Sequence, residues 1–69
     1  MRIHAKFEFH FYELVHLEEI VSLAQDFVDS IPDNIERPIL LTAFVYDNDE
    51  NLILQQEIMV FVDSPPILM

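Results

Sequence analysis

No glycine and no cysteine occur among the sixty-nine residues. At the ordinary usage of ~7%, roughly five glycines would be expected. Their absence excludes glycine-rich phosphate loops, GxGxxG turns and the GxSxG nucleophile elbow. The absence of cysteine excludes disulfides, thiolate metal sites and a cysteine nucleophile. Cations are scarce: three Lys+Arg stand against thirteen Asp+Glu, a formal net charge of −10. Such a chain is repelled by nucleic acid and by anionic lipid, so direct binding to either is disfavoured and a partner with a basic groove is favoured. No stretch approaches the ~18 apolar residues of a membrane span. Met1 to Glu8 has polar residues at nearly every second place, unlike the continuous apolar stretch of a signal peptide, and a cytoplasmic location is the expectation.

Hydrophobic residues make up 52% of the chain. That composition separates it from disordered acidic tails, which are poor in Ile, Leu, Val and Phe. The expectation is one small domain over residues 1–69. A core of this size rarely supplies more than ~3–5 kcal/mol net. With no staple available, stability must come from dense apolar packing, self-association or a partner. Solubility asks for a net charge of magnitude ~2–8 in a small domain, so the charge here lies just above what solubility explains.

Residues Ile3 to Phe11 alternate strictly. Ile3, Ala5, Phe7, Phe9 and Phe11 share one face; His4, Lys6, Glu8 and His10 share the other, which predicts a strand with one face in the core. Between Leu14 and Ile31 the period changes. Leu17, Ile20, Val21, Ala24, Phe27, Val28 and Ile31 recur at three and four, one face of a helix. Glu18 and Glu19 lie early, where the helix dipole favours anions. No Ser, Thr, Asp or Asn caps the start, and Pro32 ends the helix by disfavouring helical geometry at Ile31.

Ile39 to Tyr46 is almost entirely apolar and rich in branched and aromatic types, which predicts a strand covered on both faces. Asp47 to Asn51 reads as a turn in which Asn and Asp take the positive-φ positions. Leu52 to Val62 is the returning strand, with a bulge or an edge expected at Gln55-Gln56-Glu57. Ile67-Leu68-Met69 reads as a short apolar tail. The predicted fold is α+β: a single βαββ domain whose three-stranded mixed sheet carries one helix on one face. A right-handed crossover makes the first two strands parallel, and the hairpin adds the third antiparallel. One helix cannot cover both sides of a sheet, so the second face invites a homodimer or a bound protein.

Chemistry is thinly represented. His10 and Glu8, with His16 nearby, have metal-ligand types, but His4 and His10 stand about 20 Å apart along a strand, and solvent-facing histidines are the ordinary reading. Ser22, Ser30, Ser64 and Thr42 lie on no activating turn, and no glycine shapes an oxyanion site. So small a domain offers little room for a pocket of a few hundred Å³. The Asp47–Asn51 turn has neither the spacing nor the central Gly of an EF-hand loop. No catalytic residue, metal or cofactor is therefore assigned, and the chain is read as a non-enzyme.

What stands out is where the acids fall. Glu18, Asp26, Asp29 and Asp33 recur three, four or eight residues apart, away from the apolar stripe, with about 6 Å of rise for each four-residue step. Asp47, Asp49 and Glu50 add to them at the turn. A solvated acidic face is the simpler reading. The sharper one is a nucleic-acid mimic that docks in a basic groove, steered by charge and anchored by exposed apolar groups.

The segment Ile39-Leu40…Thr42-Ala43…Tyr46-Asp47…Asp49-Glu50-Asn51…Leu54, preceded by Leu17-Glu18-Glu19-Ile20, resembles the phage inhibitors of uracil-DNA glycosylase, which are small, acidic and mimic DNA. These positions cover fewer than half of the residues. The family's Glu-Ser-Ile strand is absent, Glu13-Leu14-Val15 standing near that place without the Ser, and the leading helix and later strands are missing. The resemblance implies an inhibitor in which Glu13, Glu18 and Glu19 face the enzyme's basic groove. Inhibitors of CRISPR effectors, restriction enzymes or polymerases fit the same residues. The expected partner surface is thus Glu13, Glu18, Glu19, Asp26, Asp29, Asp33, Asp47, Asp49 and Glu50. The alternative is a non-catalytic interaction module, a homodimeric adaptor or toxin-neutralising antitoxin, that uses the open apolar sheet face.

Overall fold

A computed structural model describes residues 2–32, 34–62 and 64–69. The order of elements is β1 (Ala5–Phe11), α1 (Leu17–Ser30), β2 (Ile39–Tyr46), β3 (Leu52–Val60) and β4 (Ile67–Leu68). The strands form one sheet in the order β1-β2-β3-β4. β1 runs parallel to β2, with Ala5 opposite Ile39 and Phe11 opposite Val45. β3 returns antiparallel, with Leu41 opposite Ile58. The α+β class and the mixed sheet agree with the periodicities, but the sheet has four strands, not three. The expected apolar tail is β4: Ile67 pairs with Met59 and Leu68 with Ile58. Two residues carry too short a pattern to register as a strand; the main-chain groups of β3 complete it.

The core lies between α1 and one sheet face. Ile20 and Ala24 of α1, Ile39, Leu41, Ala43 and Val45 of β2, and Ile58 and Val60 of β3 are buried, joined by Val15 from the connector before the helix. Phe27 rests on β1, its ring 5.0 Å from Phe7 and 5.4 Å from Phe9, both edge-to-face. Three features differ from the periodic reading. The helix begins at Leu17 rather than Leu14, its entry held by the His16 N–H donating to Glu19 Oε1 at 3.4 Å. Its buried stripe is narrower than the repeat, since Leu17 and Val21 remain 43% and 37% exposed. β2 is covered on one side only: Leu40, Thr42, Phe44 and Tyr46 are half-buried on the face opposite α1, because a single helix spans a single face.

The register irregularity falls between Val45 and Tyr46, not at Gln55-Gln56-Glu57. The edge expected there is present in part: β4 pairs with β3 at Ile58 and Met59, the Met69 N–H donates to Glu57 O at 3.0 Å, and β3 runs on past them from Leu52 to Gln55 without a β4 partner. In the hairpin, Glu50 takes the left-handed conformation, with φ 63. The Asp47 carboxylate explains why an Asn or Asp was not needed at that place. Its Oδ1 accepts the N–H groups of Asp49 and Asn51, each at 2.9 Å, and fixes the turn around Glu50.

Candidate protein-docking surfaces

Because β1 and β2 run parallel, the connector after β1 and the hairpin after β2 emerge at one end of the sheet. That end gathers Glu13, the first-turn pair Glu18 and Glu19, and the turn acids Asp47, Asp49 and Glu50. Asp26 and Asp29 lie in the second half of α1, on its solvent side and toward the opposite end. Asp33 lies outside the described residues. The predicted row is therefore two groups: an acidic end and an acidic helix flank. Glu8 and Glu57, absent from the prediction, stand elsewhere. They pair on either side of Thr42, on the sheet face opposite α1. The alternation of β1 already assigned Glu8 to that face; the position of Glu57 depended on the hairpin register.

Cations do little to neutralise these groups. Among the described residues both carboxylate pairs are with histidine: His4 Nδ1 with Glu36 Oε2 at 3.0 Å, and His10 Nε2 with Glu8 Oε2 at 3.2 Å. No described carboxylate lies within ion-pairing distance of a Lys or Arg. On α1, Asp29 Oδ1 accepts only a neutral donor, Gln25 Nε2, at 3.0 Å. Asp47 is held below its ordinary value, chiefly by the Asn51 N–H, with desolvation opposing and the Asp49 N–H and Asn51 side chain assisting. It is the structural member of the turn; Asp49 and Glu50 project from it exposed.

The open sheet face holds a second assembly. Tyr12, Tyr46, His10 and Phe44 stack nearly parallel, with ring separations of 5.0 Å for Tyr12–Tyr46, 5.9 Å for Tyr46–His10 and 4.9 Å for His10–Phe44. Period-two alternation put His10 on the outward face of β1; that Phe44 and Tyr46 stack with it required the β1–β2 register. Around them lie Leu40 and Thr42, half-buried, and Ile67, 47% exposed.

Two further observations concern chemistry. The described residues contain no group of three His, Cys, Asp or Glu side chains able to hold a metal ion. His10 and Glu8 meet, but His16 sits at the start of α1. Where little room for a pocket was expected, an open groove of about 550 Å³ runs between the end of α1 and the C-terminal segment, with Asp29, Arg37, Phe61 and Ser64 among its lining residues. It forms because the chain after β3 turns back beside the helix, a path that strand periodicity does not encode. No helix among the described residues is long and apolar enough to cross a membrane. No family model, curated protein or solved structure matches this chain.

Proposed function

We propose that this chain is a non-catalytic acidic docking protein that occupies the basic groove of a nucleic-acid-processing protein and inhibits it by imitating nucleic acid. The observation that carries the reading is the unneutralised anionic surface: Glu18, Glu19, Asp26 and Asp29 are exposed along α1 with no Lys or Arg partner. An unneutralised anionic surface of this kind raises association rates with a cationic cleft and loses strength as salt screens it. The test is inhibition of uracil-DNA glycosylase, CRISPR effector nucleases, restriction enzymes and polymerases by the purified chain at low ionic strength. Inhibition of one of them that is relieved by salt, and abolished by the Glu18→Lys, Glu19→Lys, Asp26→Lys, Asp29→Lys variant, supports the reading. Absence of binding to any basic groove at low salt rejects it.

A second reading is favoured by the aromatic stack of the open sheet face. In it the chain is an interaction module, an adaptor or toxin-neutralising subunit, whose partner covers Phe44, Tyr46 and Leu40. A Phe44→Ser, Tyr46→Ser variant that stays folded and loses its partner, while the α1 charge variant keeps it, selects this reading over the first.

A further inference from the structure

The outer edge of β1 is a second unpartnered surface, and its chemistry is specific. The His4 N–H donates to Pro38 O at 2.9 Å. In a strand, successive residues turn their main-chain groups to opposite sides. His4, Lys6, Glu8 and His10 therefore face β2, while Ala5, Phe7, Phe9 and Phe11 direct their N–H and C=O groups outward. β1 ends the sheet, and its seven residues carry no bulge, glycine or proline. A free edge of this length is a template for another strand.

We propose that the partner for this edge is a second copy of the chain, paired antiparallel about a two-fold axis at Phe7. In that register Phe7 faces its own counterpart and Ala5 faces Phe9, each pair exchanging both main-chain hydrogen bonds. Lys6 then lies opposite Glu8 twice over, at the closer, non-hydrogen-bonded positions where opposite charges stabilise and like charges destabilise. Glu8 accepts His10 Nε2 on Oε2, leaving its second oxygen for the facing lysine. The neighbouring register, centred on Glu8, would oppose Glu8 to Glu8. Centring on Phe9 shortens the overlap and leaves Lys6 without Glu8.

Charge explains why a second copy fits here despite the net −10. Arg2 and Lys6, two of the three Lys+Arg residues, lie in or beside β1 together with His4 and His10. The edge is thus the least anionic border of the molecule, while the acidic flank of α1 points away from the sheet. Phe7, Phe9 and Phe11 are only half-buried. Leu23, one helical turn before Phe27 and so above the same strand, is 44% exposed. Pairing at β1 would cover all four. It makes one eight-stranded sheet with both helices on one side and both aromatic stacks on the other.

Charge exchange tests the register directly. Sedimentation equilibrium over a range of concentrations should show a dimer of the intact chain. Lys6→Glu and Glu8→Lys, each placing like charges opposite, should each weaken dimerisation at least tenfold. The double variant Lys6→Glu, Glu8→Lys restores the facing pairs and should return within about threefold of the parent. Far-UV circular dichroism on every variant separates lost pairing from lost folding, and the restored dimer is itself incompatible with a folding defect. A parent that stays monomeric overturns the proposal. So does a dimer indifferent to the single reversals, or a double variant no better than the singles.

Discussion

His10 Nδ1 lies 3.0 Å from the Tyr46 hydroxyl, across two neighbouring strands whose rings are stacked within 11° of parallel. The opposite ring nitrogen, Nε2, faces Glu8 Oε2. An ionised carboxylate only accepts. The neutral imidazole must therefore carry its proton on Nε2, and Tyr46 donates to Nδ1. Nitrogen chemical shifts of the neutral ring should show the Nε2–H tautomer, and Tyr46→Phe should shift His10 Nδ1 while the ring stack persists. A dominant Nδ1–H tautomer in the parent would contradict this arrangement.

Ile20 is the residue that fastens α1 to the sheet, at 2% exposure. Truncating a fully buried aliphatic side chain costs about 2–5 kcal/mol. A domain of this size holds roughly 3–5 kcal/mol in all. Ile20→Ala should therefore be largely unfolded at 25 °C. Val21→Ala, one position along on the exposed margin, should cost less than about 1 kcal/mol. Urea unfolding followed by circular dichroism distinguishes the two.

Acid should act through the hairpin. Asp47 titrates below its ordinary value of 3.8 in the folded chain, chiefly because the Asn51 N–H bonds its charged form. Its folded form thus binds fewer protons than its unfolded form, so its contribution is complete above the unfolded value and disappears as pH falls through the folded one. Urea midpoints of the parent and of Asp47→Asn should differ most near neutral pH. They should converge as the pH drops below about 4, the variant showing the shallower acid dependence.

Glu50 occupies a left-handed position in which a side chain with a long stem has no natural advantage. Asn tolerates that region better. Glu50→Asn should raise stability by up to about 1 kcal/mol, read as a higher urea midpoint with an unchanged slope.

Asp29 stands in the last turn of α1, where the helix dipole disfavours an anion. Asp29→Lys should stabilise the fold by about 0.3–1 kcal/mol at low ionic strength, a gain that shrinks with added salt. Under the proposed inhibitor function the same change weakens engagement of a basic groove. Thermal unfolding and inhibition measured side by side on this variant should move in opposite directions.

The four long elements were readable because their burial is regular. Ala5, Phe7, Phe9 and Phe11 alternate against a single helix, and Ile20, Ala24 and Phe27 recur on that helix at its own period. β4 was not readable, because Ile67 and Leu68 form a strand only through the main chain of β3. The grouping of the acids was legible only indirectly. Glu13 and Asp47 are far apart in the chain, and it is the parallel pairing expected from the crossover, not the spacing of the acids, that brings their segments to one end. The register of β1 with β2 sets His10, read only as an outward residue of β1, against Phe44 and Tyr46 in a stack.

Parallel pairing of β1 with β2 also carries a kinetic consequence. β2 and β3 can zip together from the Asp47–Asn51 turn, a local event on the microsecond scale. Ala5 meets Ile39 only after the whole of α1 and both connectors have been gathered in, a long closure that slows folding. During that interval the β2 flank awaiting β1 lies bare, with Leu41 and Val45 unshielded by the phenylalanines. The nascent molecule is then most prone to clumping, and the step that ends this vulnerability is the arrival of the first strand.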